Sequence, residues 1–403
     1  MDYKELEHIY YSDHELYEIM YKRRFSSIYT HHINFDIREW PAFFVVTPEI
    51  QSLMISIRKA DKKVYQLCRD LPNKAIEQFS LRCLVDEIVL TNNIEGVHST
   101  RREIDQVISS LGEQDRRMRF KGLVQKYIAL RTRIDIPLQS CRDIRDIYDE
   151  LFLPEVAEDD PKNIPDGEIF RKGPVSVHSA TQKEIHRGLY PEKEIIAAME
   201  KALDYLNDEN EDILFRTAVF HYLIGFIHPF YDGNGRLNRF ISSYMLAKEL
   251  EPVLSYRLSY TVKENIEKYY AAFKISNNPL NRGDLTPFVF MFLEIVEKSI
   301  LLLKEALQKR LEQLTHYEAL IIKLPYIKTS TEKDLYSILI QAELFSEHGI
   351  STMDLIHYLG VSRGTVNTKL MKIEEAGFLK KNHIKRENFF GIDLQALDRY
   401  VDA

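Results

Sequence analysis

Glycine and proline together account for 29 of the 403 residues, 15 and 14 respectively, about 7% where roughly 12% is usual. A chain so poor in turn-formers cannot build many hairpins, so a mainly α fold is expected. Its length exceeds the ~250 to 300 residues at which single cores stop growing, which predicts more than one domain. Hydrophobic residues at 45% and charged residues at 29% are the balance of a folded globular protein and exclude wholesale disorder. The net charge of −7, from 54 Lys+Arg against 61 Asp+Glu, argues against a surface built to coat nucleic acid or anionic lipid; any basic site must be local. Cys68, Cys83 and Cys141 lack metal-site or paired-disulfide spacing, which fits a reducing compartment. The N-terminus has no basic start followed by an apolar run, and the apolar stretch 288–307 is cut by Glu294, Glu297, Lys298 and Lys304, so neither targeting nor membrane insertion is expected and a cytoplasmic location is.

Residues 1–45 mix aromatic and charged side chains without a clear period, and only a short element or two near Tyr10 to Ile28 is predicted. Helical spacing begins at Thr47 and recurs through 75–91, where Phe79, Leu81, Leu84, Ile88 and Val89 fall mostly three and four apart. It returns at 101–111, 115–134 and 139–152. Prolines, glycines and acids over 154–173 mark a surface connection. The segment 173–178 reads as a strand with 184–190 as its partner, the one hairpin expected, followed by a helix over 192–206. Asp212 to Ile227 is apolar on nearly all faces and is predicted to be a buried central helix ending at His228-Pro229. Further helices are expected over 236–249, 262–276 and from 285 to about 314. Beyond Pro325 a new unit begins, with helices over 334–347, 351–359 and 363–376.

The run His228-Pro-Phe-Tyr-Asp-Gly-Asn-Gly-Arg-Leu-Asn-Arg239 places a proton acceptor, an acid, a glycine-bracketed turn and two arginines between two helices, a composition suited to a polyphosphate. Gly233, Asn234 and Gly235 would let successive backbone N–H groups converge on an anion at the start of the next helix. Arg236 and Arg239, three apart, are expected to project from one face and hold phosphate oxygens with their guanidinium forks. Asp232 is placed to hold a Mg²⁺ ion that bridges the same phosphates. Cations at a helix N-terminus oppose the macrodipole unless an anion is bound there, which disfavours a merely structural turn. His228, at the end of the preceding helix, is expected to feel a field that favours its protonated form. His221, seven residues earlier on the buried helix, reads as a packed core histidine.

This run resembles the Fic motif, H-x-F-x-[DE]-G-N-G-R-x-x-R, at every specified position, and the resemblance extends over roughly residues 41–300. It implies a helical Fic core with a short β-hairpin flap that transfers AMP from ATP, with Mg²⁺, to a Ser, Thr or Tyr hydroxyl of a target protein or of the enzyme itself. The implied roles are His228 as general base, Asp232 as metal ligand, Gly233, Asn234 and Gly235 as the phosphate cradle, and Arg236 and Arg239 as clamps for the outer phosphates. Tyr270 and Asn277 would contact the adenosine, and Val177 and His178 would line the flap that docks the target. Thr91-Asn-Asn-Ile-Glu95-Gly96 is similar to the family's inhibitory motif, in which the glutamate, here Glu95, reaches the second arginine, here Arg239, and takes the seat of the γ-phosphate. Removal of AMP, or transfer of another phosphate-containing group, stays open within the family.

Residues 351–370 form a helix, a Gly360 turn and a second helix capped by Ser362, and resemble a winged helix-turn-helix with 379–392 as the wing. Between Ser362 and Phe389 seven basic residues face three acidic ones, whereas 331–403 as a whole has nine basic and eleven acidic. DNA binding and protein contact, homodimer assembly included, both stand. A nucleotide-sensing DNA-binding regulator is therefore the rival to the transferase. The expected organisation is an N-terminal helical region over 1–135 with its inhibitory helix at about 77–95, a catalytic core over 136–300, a helical linker over 301–330 and a winged helix-turn-helix over 331–403.

Overall fold

The computed structural model describes residues 3–111, 118–178, 184–325, 327–384 and 387–401. The chain divides into two compact units, residues 1–61 with 84–301, and residues 62–83 with 302–403. As expected from the scarcity of turn-formers, both are mainly helical, and the described residues include three small antiparallel sheets.

The first unit is organised around the helix Ile213–Ile227, thirteen of whose fifteen residues are buried. Its apolar residues leave no polar stripe for water, so it must be covered on every side. Asp212 caps it by accepting from the Leu214 amide and is itself held by Arg58. The helix Glu192–Leu206 packs along it, and so does Asn234–Glu249, which carries the second half of the glycine-rich run. Cys141–Leu151 joins the same core through Ile144, Ile147, Tyr148 and Leu151, and starts at a capping box between Ser140 and Asp143.

The expectation of a single hairpin is corrected by a second one near the N-terminus, Thr30–Ile37 paired with Trp40–Val45. Ile33, Phe35 and Ile37 alternate inward, so the period-two pattern was present. Its turn lacks the expected punctuation because Arg38, not glycine or asparagine, adopts the left-handed conformation there (φ 60°). The hairpin is stitched to the start of the last core helix, with Phe43 N–H donating to Gly283 O (3.0 Å) and Leu285 N–H to Phe43 O (2.7 Å). Alongside lies a buried ion pair, Arg24 to Asp284 at 3.2 Å, with the Tyr3 hydroxyl also donating to Asp284. Helix boundaries shift by a few residues elsewhere. The stretch predicted as one helix over 262–276 is two, Leu258–Glu264 and Ile266–Ser276, and the last core helix runs over Thr286–Ile321.

In the second unit, Ser330–Phe345, Thr352–Leu359 and Arg363–Glu375 pack against a sheet in which Glu387–Ile392 lies between Ile350–Ser351 and Leu379–Ile384. Val366, Leu370 and Ile373 form the buried face of the third helix, leaving Arg363, Thr365, Asn367, Thr368, Met371 and Lys372 exposed. Three of the lysines counted above are engaged in ion pairs within the unit: Lys369 with Glu332, Lys380 with Glu343 and Lys381 with Glu374. Lys385 and Arg386 lie outside the described residues. Among the described residues no helix is long and apolar enough to cross a membrane.

Removing one partner of a buried ion pair leaves an uncompensated charge, at a cost of about 3 to 5 kcal/mol. Arg24→Met should lower the unfolding free energy by that amount in urea titrations, and adding Asp284→Asn should recover part of it.

Candidate active site

His228 follows the last turn of the central helix as its C-cap, in the left-handed conformation (φ 53°, ψ 64°), which is uncommon for a residue with a side chain. Arg171 holds it there. That guanidinium is fully buried and donates to three carbonyl oxygens, those of His228 (3.0 Å), Gly173 (2.6 Å) and Leu189 (2.7 Å). Packing is close enough that a Cβ at Gly188 would come within 2.9 Å of the His228 Cβ. Burial, with His186 nearby, lowers the His228 pKa to about 4 against the opposing pull of Glu95. This corrects the expectation of a favoured imidazolium: loss of hydration on burial is the largest influence and disfavours the charged form. His228 is neutral at physiological pH and able to accept a proton.

The loop that follows is closed by Asn234, whose side chain accepts from Phe230 N–H (2.9 Å) and donates to Phe230 O (2.8 Å). Phe230 stacks on Tyr148, ring centroids 3.7 Å apart. Gly233 is left-handed (φ 78°) and its N–H donates to Asp232 Oδ1 at 2.5 Å. The second residue of the helix Asn234–Glu249 is Gly235, where a Cβ would overlap the carboxylate of Glu95. Glycine at this position lets an oxyanion lie directly against the positive end of the helix.

Glu95 comes to that spot from the end of the helix Asn73–Ile94. Its Oε1 accepts from Arg239 Nη2 at 2.9 Å, and Arg239 also donates to Thr91 Oγ1 (2.8 Å) and Thr91 O (3.0 Å). Arg239 is 1% exposed; burial works against its charge, but Glu95, together with Tyr269 and Tyr270, holds its pKa above the ordinary value. Further up the same helix, the buried Glu87 accepts from Ser259 N–H (2.9 Å) and Ser259 O–H (2.5 Å). Burial pushes this carboxyl up to about 7. Lys263 donates to Asn93 at 2.9 Å, so the last two turns are pinned to the core independently of Glu95.

Arg236 lies three residues before Arg239 on the same helix and pairs with a different carboxylate. It is equally buried, but Nη1 donates to Glu155 Oε1 at 2.8 Å, and Glu155 also receives Arg119 at 3.3 Å. Glu155 is a buried carboxylate on the helix Leu153–Asp159. The contacts of Glu155 with Arg236 and of Arg171 with His228 had no local sequence signal, since they span 81 and 57 residues.

One cavity gathers Glu95, His228, Asn234, Gly235, Arg239, Tyr270 and Asn277, with His186, Gly225 and Phe273 also in its wall. Arg236, Asp232 and Gly233 are not among its lining residues. Tyr270 keeps 43% of its surface exposed. His186 hydrogen-bonds through Nε2 to Phe226 O at 2.6 Å. His221 lies outside the cavity, held by Ser242 and Tyr269 at 2.7 Å each, and burial lowers its pKa to about 3, the environment of the packed core histidine expected. The predicted strand is Ser176–His178, paired with Glu184–Arg187 so that Val177 opposes His186 and His178 opposes Glu184 in backbone register. The side chains of Val177 and His178 lie outside the described residues.

Residues 139–246 match the Fic/DOC family. Over 110 residues, 27% of this chain and 20% of the relative's length, the sequence is 31% identical to Protein adenylyltransferase Fic of Drosophila willistoni. It is also 31% identical over 109 residues to Protein adenylyltransferase fic-1 of Caenorhabditis elegans. The chain thus spans about a fifth of the length of these curated relatives. A Fic family protein from Desulfovibrio desulfuricans G20 shares the fold over 87% of this chain and 98% of its own, with a TM-score of 0.53 and 21% identity. The chain carries a Fic/DOC-family domain in a Fic-type helical fold.

His228 and His221 have folded pKa values of about 4 and about 3 against ~6.5 in an unfolded chain. The unfolded state therefore binds more protons in the window between, and stability is present above pH 6.5 and lost as pH falls toward 4. Unfolding free energies measured at pH 7, 6, 5 and 4 should fall along this series. His228→Gln should remove about 3 kcal/mol of the fall, one proton's share over the window.

Proposed function

We propose that this chain is a protein adenylyltransferase that moves AMP from Mg-ATP to a Ser, Thr or Tyr hydroxyl of a target protein or of itself, and that Glu95 holds it down. The observation that carries the reading is the meeting, in one cavity, of a neutral imidazole, the glycine-lined start of a helix and a buried arginine already holding a carboxylate. Neutral His228 would take the proton of the incoming hydroxyl, whose oxygen forms the new bond to the α-phosphorus as the bond to the β-phosphate bridging oxygen breaks and pyrophosphate leaves. Such in-line transfer depends on positioning and charge neutralisation. Gly233, Asn234 and Gly235 would receive phosphate oxygens at the helix N-terminus, and Arg239 would hold the outermost phosphate. Arg236, tied to Glu155, would act mainly by shaping the loop.

Asp232 suits Mg²⁺ as a lone, partly exposed carboxylate beside the phosphate seat. No group of three or more His, Cys, Asp or Glu that could hold a metal occurs among the described residues, so the ion would depend on nucleotide oxygens for most of its protein-side anchoring. It would supply neutralisation of phosphate charge.

Glu95 and the γ-phosphate compete for Arg239, and Glu95 does so at the effective concentration of an intramolecular group. A charge-assisted pair of this kind contributes about 1.5 to 3 kcal/mol, or about 10- to 150-fold at 1.4 kcal/mol per decade. Glu95→Gly should raise labelled AMP incorporation by that factor, whereas Arg239→Ala should lose both inhibition and most activity; equal rates for Glu95→Gly and the parent would remove the inhibitory role. His228→Ala should lower transfer by about 10²- to 10⁴-fold while ADP still binds.

For the C-terminal unit, the engagement of Lys369, Lys380 and Lys381 by acidic side chains supports protein contact over DNA. Retention of the full chain on duplex DNA that weakens steeply with salt, and is lost in Arg363→Ala, would reverse that preference.

A further inference from the structure

Glu192 is the first residue of the helix Glu192–Leu206, a position where the helix dipole alone accounts for an acid. Its carboxylate nevertheless reaches back to three successive backbone N–H groups, those of Glu168 (3.2 Å), Ile169 (2.8 Å) and Phe170 (2.9 Å). The fit is close. A Cβ at Gly167 would overlap the carboxylate, and Gly167 N–H closes the loop by donating to Phe170 O (2.9 Å). Burial works against the charge of Glu192, but the three N–H groups, with Lys172 nearby, hold its pKa below the ordinary value. A carboxylate has acceptor sites for all three donors, whereas an amide could offer only its oxygen half.

The residue that leaves this loop is Arg171. Its N–H donates to Pro229 O (3.3 Å), and its guanidinium holds the carbonyls of His228, Gly173 and Leu189. Close by, Gly188 N–H donates to Val175 O (3.1 Å) and Leu189 N–H to Ile227 O (3.0 Å). The segment that enters the hairpin at Ser176 and the segment that leaves it after Arg187 are thus fastened to each other and to the end of the central helix.

Resting on the adenylyltransferase reading for what His228 does, we infer that Glu192 is a positioning residue: it moulds residues 167–170 into the seat from which Arg171 fixes His228 against the base of the hairpin. Without that carboxylate the three N–H groups must turn to water, and the turn that presents Arg171 opens with them.

The test is an NMR titration of the histidine imidazoles in the full chain, with the His228 signal assigned by its loss in His228→Gln. His228 is faced by His186, Glu95 and Arg171, and burial is the largest influence that holds it at about 4. In Glu192→Ala, water and a displaced Arg171 should raise it toward the ordinary value of ~6.5. Glu192→Gln keeps the oxygen for Ile169 and Phe170, so it should raise the value less, and it carries the test alone if Glu192→Ala does not fold. Glu194→Ala, which removes an exposed acid from the same helical turn, should change nothing. In labelled AMP transfer, with Glu95→Gly in every chain, Glu192→Ala should lower kcat about 10²-fold, the cost of a misplaced catalytic group, while ADP affinity measured by calorimetry stays as in the parent. A His228 that still titrates near 4 in folded Glu192→Ala, checked by its thermal midpoint, would overturn the inference. A loss of ADP affinity as large as the loss of rate would overturn it too, by making Glu192 a general stabiliser. If no chain transfers AMP but the His228 titration moves as expected, the adenylyltransferase reading falls and the positioning role stands.

Discussion

The site depends first on a cation that has no carboxylate beside it in its bonding pattern. Arg171 is buried among carbonyl oxygens of residues from the central helix's end, from the stretch before the strand Ser176–His178 and from the stretch after its partner Glu184–Arg187. Three charge-assisted bonds from one rigid fork define a plane, and the carbonyl of His228 is one of its corners. Because His228 is left-handed there, its imidazole leaves the helix axis and joins the cavity instead of continuing the apolar face of Ile213–Ile227. A lysine could neutralise the same carbonyls but could not fix three directions at once.

The two motif arginines show how burial assigns different work to like residues. Both are 1% exposed and both pair with a glutamate. Glu155 is itself 5% exposed and shared with Arg119, a closed arrangement that fastens the loop. Glu95 keeps 23% of its side chain in solvent and lies over Gly235, against a helix N-terminus that any other anion could occupy. Its helix is anchored separately through Glu87, Thr91 and Asn93. The contrast is between a sealed carboxylate and a partly exposed one.

Legibility followed the range of the interactions. The buried central helix could be read from its sequence because a helix with no polar face has one environment available to it. The hairpin over 30–45 was missed although its strand alternates, because Arg38 takes the turn conformation that glycine or asparagine would have signalled. The split at Asn265 was missed because both halves keep a helical period. The direction of the His228 shift was misjudged because the helix end is local and visible in sequence, whereas the desolvation that disfavours the charged form comes from neighbours distant in the chain.

The sequence by itself determined the chemical groups on offer: an imidazole, an acid, two glycines and two arginines within twelve residues, a glutamate after an upstream helix, and too few turn-formers for a fold that is not mainly helical. These are matters of residue type and spacing, which local propensity and known chemistry interpret. The tertiary structure decided which of those groups meet. It set Glu95 on Arg239 across 144 residues, gave Arg236 to Glu155 across 81, and joined the Tyr222 hydroxyl to Asn277 across 55. A hydrogen bond requires its atoms within about 3 Å and in line, and no pattern along the chain states which distant segments folding will bring that close.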